Sequence, residues 1–515
     1  MNRSFCNTCG KLAPSAQAER DGKVYLVKDC PACGKTETLI ASDARRYFAK
    51  RALDYGHRDR ACHLECASCQ HTGAPPSFAF VDVTNRCNMD CPVCCDNVPS
   101  MGFSFDPPLP YFERLFGYLA KMEPKPTVAL FGGEPTMRDD LFEIIALSRK
   151  HGLNTRVVTN CLKLADAEYC DRMLASRANI LLSYDGARAE TYRRLRGSDR
   201  SLALKQKALE NLERSPKIRP GRVSIITCVA TEINGQEMPE LLDFYHSKRG
   251  FVGTVHLMPL AHTWKCGAVG PEPQRTTTED AEALVAGVYP DDKVDFIPAG
   301  FIAQFSLVSS LFEGTVFPFL GAHPNCESVT LLLSDGKGYV PVSRYLTCSL
   351  SELARDLMAL ERRIPGAGTQ HAVAQAPRPG FRRLLHKVLL SAAMVPFIIK
   401  HVRIGRVLKG KGPGKLWHAA ALLGRVLTGQ GRREALAAHT NVQGTLQLIV
   451  LPFEDNYVIE TDRLERCPNL HVYLDPATEE LRFVPVCAWR MFNKQVMSGI
   501  ADFYAAHAQA ATAAR

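Results

Sequence analysis

Between residues 78 and 260 the chain alternates short apolar runs with longer stretches whose apolar positions recur three and four residues apart. The runs Phe78–Val83, Thr127–Phe131, Thr155–Thr159, Asn179–Tyr184, Val223–Ala230 and Thr254–Leu260 predict strands, and Tyr111–Lys121, Asp139–His151 and Ser201–Glu213 predict amphipathic helices between them. Continuous apolar runs suit strands covered on both faces, and strand–helix alternation predicts a parallel sheet with helices outside it. The strand ends should then carry the chemistry, where Thr159-Asn160, Ser183 and Asp185-Gly186 are the polar candidates. Later strand-like runs are Leu446–Leu451 and Val472–Leu474, and the Ala-rich C-terminus reads as a fraying helix.

Two motifs interrupt this pattern. Cys87-Asn88-Met89-Asp90-Cys91-Pro92-Val93-Cys94 follows the first strand, and Gly132-Gly133-Glu134-Pro135 ends the second. Three thiolates at this spacing can hold three irons of a four-iron cluster and leave the fourth open, whereas a structural zinc ion is the alternative use of such ligands. The glycine turn can bring backbone and one carboxylate close to a ligand. Upstream, Cys6-Asn7-Thr8-Cys9-Gly10 and Cys30-Pro31-Ala32-Cys33-Gly34 are paired knuckles fit for one Zn or Fe ion in a closed, structural four-thiolate site. Cys62, Cys66 and Cys69 repeat the CxxxCxxC spacing and read as an auxiliary iron–sulfur site, with a second zinc knuckle as the alternative. Cys326, Cys467 and Cys487, in turn-like or strand-end settings, read as ligands of a further cluster, with Cys266 and Cys348 ranked behind them. Cys161, Cys170 and Cys228 fall on core positions, where a thiol acts as a small hydrophobe.

Composition changes the picture in two places. Nineteen cysteines in CxxC and CxxxCxxC clusters, with no signal-peptide pattern at the first residues, imply metal ligation in a reducing compartment, hence a cytoplasmic protein. The net charge of +10 is concentrated: residues 381 to 433 hold twelve Lys and Arg and no Asp or Glu. With Trp417 and apolar runs interspersed, that stripe has the composition of a segment lying at an anionic membrane face, a solvated basic helix pair being the plainer reading. The longest apolar stretch, the twelve residues Val388–Ile399, is too short to span a bilayer. Residues Asp295 to Leu320 are dense in Phe and Leu and read as a core helix or as the lining of an apolar substrate site.

The cysteine triad and glycine turn, in this order, resemble the radical S-adenosylmethionine (SAM) enzymes. The resemblance implies an α/β fold built on a partial (β/α)6 TIM-like barrel, with a rubredoxin- or zinc-ribbon-like module before it and an α+β module with an auxiliary cluster after it. The divisions are 1–40 (metal module), 41–76 (auxiliary cluster), 77–262 (barrel), 263–380 (apolar substrate and cluster region), 381–433 (basic segment) and 434–515 (C-terminal module). It further implies that Cys87, Cys91 and Cys94 hold the catalytic 4Fe-4S cluster, whose open iron takes SAM. Gly132, Gly133, Glu134, Pro135, Asn160, Ser183 and Asp185 would surround SAM, Glu134 meeting its amine and Ser183 or Asp185 its ribose or carboxylate. One or two auxiliary 4Fe-4S clusters and an electron donor such as ferredoxin or flavodoxin complete the implied set.

The full layout resembles tetraether lipid synthases and the related pterin-acting radical SAM methyltransferases, although Gly321 stands where that pattern has a cysteine before His323-Pro324. Two activities follow as expectations: carbon–carbon bond formation between lipid hydrocarbon chains by an enzyme peripheral to the cytoplasmic membrane, or methyl transfer to a small heterocycle. A third class, a zinc-ribbon protein binding nucleic acid through the basic stripe, leaves the glycine turn unexplained and has few interleaved aromatics, so no nucleic-acid partner is expected.

Overall fold

The computed structural model describes residues 2–53, 76–96, 98–263, 269–302, 322–363, 394–428 and 432–513. Cys62, Cys66, Cys69 and Cys266, most of the 295–320 region and the first part of the basic stripe lie outside them.

The N-terminal module is an antiparallel sheet of four strands in sequential order: β1 (Arg3–Phe5), β2 (Leu12–Arg20), β3 (Lys23–Cys30) and β4 (Gly34–Ala41). Gly10 and Gly34 close the two knuckles at φ of 67° and 77°, as the ligand turns require. The six predicted strands all form: β5 (Phe78–Thr84), β6 (Thr127–Gly132), β7 (Asn154–Thr159), β8 (Asn179–Ser183), β9 (Val223–Val229) and β10 (Val252–Pro259). They lie side by side in chain order, every neighbouring pair parallel. Helices Leu109–Leu119, Leu141–Lys150, Ala167–Ala175, Arg200–Arg214 and Met238–Ser247 supply the crossovers. Ala79, Val81 and Val83 of β5 pack in one core with Val128 and Leu130 of β6 and with Phe112, Leu115, Phe116 and Leu119 of the first crossover helix. Burial of this layer stabilises the sheet by about 25 cal/mol per Å² of apolar area.

The later strands are β11 (Ile297–Pro298), β12 (Ser328–Ser334), β13 (Tyr339–Pro341), β14 (Gly444–Val450), β15 (Asn469–Leu474) and β16 (Leu481–Pro485). They extend the barrel sheet at both edges: β14 runs parallel to β10, and β15 runs parallel to β5. Residues 434–515 are thus woven into the barrel. The chain ends in one long helix, Val486–Ala513, of which sequence patterning revealed only the last turns.

The ribbon is fastened to this C-terminal segment. Ser4 Oγ donates to the Ile459 carbonyl (2.5 Å), and the Arg3 amide to Thr461 Oγ1 (3.0 Å). The helix after the ribbon, Ala44–Arg51, buries Lys50 between Glu279 (2.8 Å) and Glu282 (2.7 Å). Among the described residues, no helix is long and apolar enough to cross a membrane.

Candidate active site

The loop that carries Cys87, Cys91 and Cys94 leaves the C-terminal end of β5 and is closed at its stem. Asn85 pairs with the returning chain as a strand would: its Nδ2 donates to the Phe103 carbonyl (2.9 Å) and its Oδ1 accepts from the Phe105 amide (2.6 Å). The Gly132-Gly133 turn packs against the same stem. The Gly133 amide donates to the Thr84 carbonyl and the Glu134 amide to the Arg86 carbonyl, both at 2.8 Å. A β-carbon on Gly132 or Gly133 would fall 2.3 Å from Thr84 O or 2.2 Å from Arg86 O, so only glycine fits either position. The glycines therefore fix the stem that presents the thiols, a role in addition to the ligand approach expected of them.

Glu134 is buried and joins two strand ends. Its Oε1 accepts from the Thr136 amide (3.1 Å), Thr136 Oγ1 (2.7 Å) and Thr159 Oγ1 (2.6 Å); its Oε2 accepts from the Asn160 amide alone (2.7 Å). Since a carboxylate oxygen offers two lone pairs, Oε2 keeps capacity for one more donor. Asn160 reaches the cysteine loop, its Nδ2 donating to Asn88 Oδ1 (2.6 Å).

Ser183 and Asp185, at the end of β8, are engaged by two cations, Arg196 on the helix that follows and Lys205, which patterning did not single out. Lys205 is buried and donates from Nζ to Ser183 O and Oγ, both at 2.6 Å, and burial pulls its ammonium below the ordinary range. Arg196 grips Asp185 with two hydrogen bonds (2.7 and 2.8 Å), while the Cys228 amide gives the carboxylate a third (3.0 Å). Burial raises the Asp185 carboxyl, but Arg196 outweighs it and the acid stays below the usual range. Asp185 is thus committed to positioning Arg196, whose charge also bears on Cys91. The signal in sequence was indirect: a cation following each polar strand end by one helix.

The back of the cysteine loop is held by the long C-terminal helix. Arg490 donates to the carbonyls of Cys94 (3.0 Å) and Thr263, Asn493 Nδ2 to that of Asp96 (2.9 Å), and Trp489 Nε1 to Asp82 Oδ2 on β5 (2.9 Å). Beside Arg490 a cavity of about 340 Å³ opens at the ends of β10 and β14, bordered by Cys6, His262, Thr263, Asp455 and Tyr457. Burial pushes the Cys87 thiol up to about 12.

The two metal-type cysteine groups differ in geometry. Cys6, Cys9, Cys30 and Cys33 converge with all four sulfurs within 4.8 Å of one another, and Cys9 and Cys30 stand 3.7 Å apart. A tetrahedron with Zn–S bonds of about 2.3 Å has edges of about 3.8 Å, so this set fits one mononuclear ion. The backbone amides of Cys9 and Thr8 lower the Cys6 thiol to about 6, favouring the thiolate a metal needs. Cys87, Cys91 and Cys94 form no such close group, which suits thiolates bound to separate irons better than ligands of one zinc ion.

Residues 81–245 match the family model described as the radical SAM superfamily. Residues 81–245 are therefore a radical SAM domain. Residues 2–42 match a second model, the HMPTM N-terminal zinc ribbon domain. The enzyme is 28% identical over 357 residues, 67% of its length and 70% of the relative's, to 7,8-dihydro-6-hydroxymethylpterin dimethyltransferase of Methanocaldococcus jannaschii. It is 26% identical over 289 residues to GTP 3',8-cyclase of Aliarcobacter butzleri, covering 54% of this chain and 83% of that one. Among solved structures, native anSMEcpe with bound AdoMet overlaps at a TM-score of 0.35 and 14% identity, over 62% of this chain and 97% of that chain. Streptococcus suis SuiB does so at 0.31 and 14%, over 56% and 68%.

Beyond the radical SAM core, Cys326, Cys467 and Cys487 come from three distant segments and lie within electrostatic reach of one another. Arg463 stands among them, donating to Cys326 Sγ (3.6 Å) and pairing with Glu454 (2.9 Å). Burial raises all three thiols, Cys326 to about 11. Cys487 lies in the first turn of the terminal helix, where a strand end was expected. Cys348 stands apart, against His401. Cys161, Cys170 and Cys228 are buried core residues.

Proposed function

We propose that this radical SAM enzyme removes hydrogen from unactivated carbons of lipid hydrocarbon chains and joins two such carbons. The observation that carries the reading is the described part of the basic segment. Leu416, Trp417 and Ile399 are 76, 63 and 62% exposed there. They stand among Lys400, Arg403, Arg406, Lys409, Lys411 and Lys415, with no acidic residue anywhere in 381–433. Apolar side chains left in water beside a row of cations suit an anionic bilayer face, from which a lipid substrate must be drawn.

In this reading Cys87, Cys91 and Cys94 would hold the catalytic cluster, and the residues at the ends of β5 to β8 would hold SAM. When bound, the cluster and SAM supply a 5′-deoxyadenosyl radical, the electron coming from a ferredoxin or flavodoxin. The residues of the chain orient and enclose: Glu134 Oε2 is free to accept from the SAM amine, Asn160 ties that strand end to the cysteine loop, and Lys205 and Arg196 offer positive charge beside Ser183 and Asp185. Cys326, Cys467 and Cys487 form a second cluster site, Cys62, Cys66 and Cys69 another, and the ribbon holds its Zn or Fe ion as a staple. Each coupling takes one hydrogen from each chain, so the product is two hydrogens lighter than the paired substrates.

A second reading, methyl transfer to a pterin or similar heterocycle, is supported by the similarity to the Methanocaldococcus jannaschii dimethyltransferase and by the zinc-ribbon match. Mass spectrometry of hydrolysed lipids from matched cells with and without the gene separates the two. A gene-dependent species equal to two joined chains less two hydrogens is the expected result. An unchanged lipid profile, with a methylated heterocycle that depends on the gene, would replace the lipid reading with the second.

A further inference from the structure

Cys348, His401 and Asp356 form a cluster outside the radical SAM core that neither the ribbon nor the cysteine clusters use. Cys348 lies two residues before the helix Leu350–Arg362, whose start is fixed by a reciprocal cap at Ser349. The Ser349 amide and Oγ donate to Glu352 Oε2 (2.9 and 2.7 Å), and the Glu352 amide donates to Ser349 Oγ (3.2 Å). The thiol thus stands at the positive end of a helix, where the Leu353 amide favours the thiolate.

His401 Nδ1 lies 3.2 Å from Cys348 Sγ. The imidazole is 3% exposed, and its Nε2 lies 3.1 Å from Asp356 Oδ2, in ion-pair contact but off the line of an aligned hydrogen bond. Lys400 Nζ, 2.7 Å from the same oxygen, keeps Asp356 charged. Backbone bonds lock the histidine to the cysteine segment: the Thr347 amide donates to the His401 carbonyl (2.9 Å) and the Arg403 amide to that of Tyr345 (2.8 Å). Sulfur and carboxylate occupy opposite ring nitrogens, which rules out one metal ion shared by all three. The arrangement is that of a nucleophile, a base and a group orienting the base. Burial, with Glu352 and Asp356 nearby, raises the thiol, so the sulfur rests protonated and its proton moves during attack.

We infer that Cys348 is a nucleophilic thiol that accepts a long-chain acyl group from an acyl thioester. The acceptor's surroundings select that donor: Val395, Ile398 and Ile399 are exposed on the helix at 394–401 that carries His401, and Arg403 and Arg406 follow it. An acyl chain matches the first group and a phosphorylated thiol carrier the second. Cys348 sulfur adds to the thioester carbonyl, the new carbon–sulfur bond replaces the bond to the carrier, and His401 passes the thiol proton to the departing carrier thiolate. No electrons are gained or lost. The result is S-acyl-Cys348 beside the basic face, giving that face the second signal that stable membrane anchoring requires. The inference does not rest on lipid coupling, since acylation and coupling are read separately.

The test incubates the anaerobic, cluster-loaded full-length enzyme with palmitoyl-coenzyme A and follows intact mass, with peptide mapping of the adduct. One acyl group should appear on Cys348, be released by neutral hydroxylamine, and be absent in Cys348→Ser, which should still cleave SAM. His401→Asn should slow the reaction by about a hundredfold or more, the usual yield of a positioned base. Asp356→Asn should slow it less. The pH dependence of the rate should differ between the native enzyme and His401→Asn, the variant following ordinary thiol ionisation, a change that a merely structural histidine would not cause. Acylation at other cysteines only, or equal rates with and without His401 in proteins of equal iron content, would overturn the inference.

Discussion

Gly132 and Gly133 are where a single methyl group would do the most damage. Gly133→Ala places a carbon 2.2 Å from Arg86 O, and the chain it would displace is the stem of the cysteine loop. Overpacking of this kind costs about 1–3 kcal/mol. The expected outcome is a folded barrel with less iron per chain and weaker visible absorbance after anaerobic reconstitution, measured by iron analysis and absorbance. Asp185→Asn leaves buried Arg196 without its counter-charge, an arrangement that costs about 3–5 kcal/mol. Thermal unfolding should show a clear fall in Tm even before activity is measured. His256, on β10, is held neutral: burial, reinforced by Arg156, lowers its imidazole to about 3. Below pH 6.5 the unfolded chain binds a proton that the fold does not, so this group removes stability as pH falls from 6.5 towards 3, by up to about 1.4 kcal/mol per pH unit. Tm measured across that range should fall less steeply in His256→Gln. At this scale the sequence identified the residues that chemistry makes conspicuous, cysteines and a Gly-Gly-Glu-Pro turn, noted Arg196 only as part of the segment after the fourth strand, and passed over Lys205 and Arg490. A lone basic residue on a helix looks like any solvated one until the fold shows that it is buried.

The individual elements were legible because their patterns are local. All six barrel strands lie within two residues of the runs that predict them. The ribbon was equally plain, since two knuckles with glycine closures leave little freedom. What patterning missed is the 28-residue helix Val486–Ala513 and its task of clamping the cysteine loop, because Val484-Pro485-Val486-Cys487 reads as a strand end. Arg490→Ala removes the side chain that holds the Cys94 and Thr263 carbonyls. The catalytic cluster should then be lost faster in air, followed by the decay of its visible absorbance, while the ribbon metal stays bound. The ribbon's seat depends on Lys50, in which burial opposes the charge but Glu282 and Glu279 prevail. Lys50→Met leaves two facing buried carboxylates and should free the first 50 or so residues to limited proteolysis, with the barrel band intact.

Over the whole molecule, topology decides what sequence could not. Placing β14 beside β10 and β15 beside β5 brings Cys326, Cys467 and Cys487 together from 161 residues of chain, a convergence that spacing alone does not specify. Charge is also organised at this scale, with the excess of +10 concentrated in one stripe. Vesicles containing anionic phospholipid should sediment the enzyme at low salt and release it as ionic strength rises past about 0.15 M, where the screening length is about 8 Å. Neutral vesicles should bind little of it. The central claim is that the radical formed at the end of the barrel takes its hydrogen from a lipid chain, and isotope transfer tests it most directly. The reduced enzyme is given SAM and a phospholipid with perdeuterated chains, and the 5′-deoxyadenosine formed is weighed by mass spectrometry. The account predicts deuterium in that product with the native enzyme and no product with Cys87→Ala. Deuterium-free 5′-deoxyadenosine, formed at the same rate with or without lipid, would contradict it.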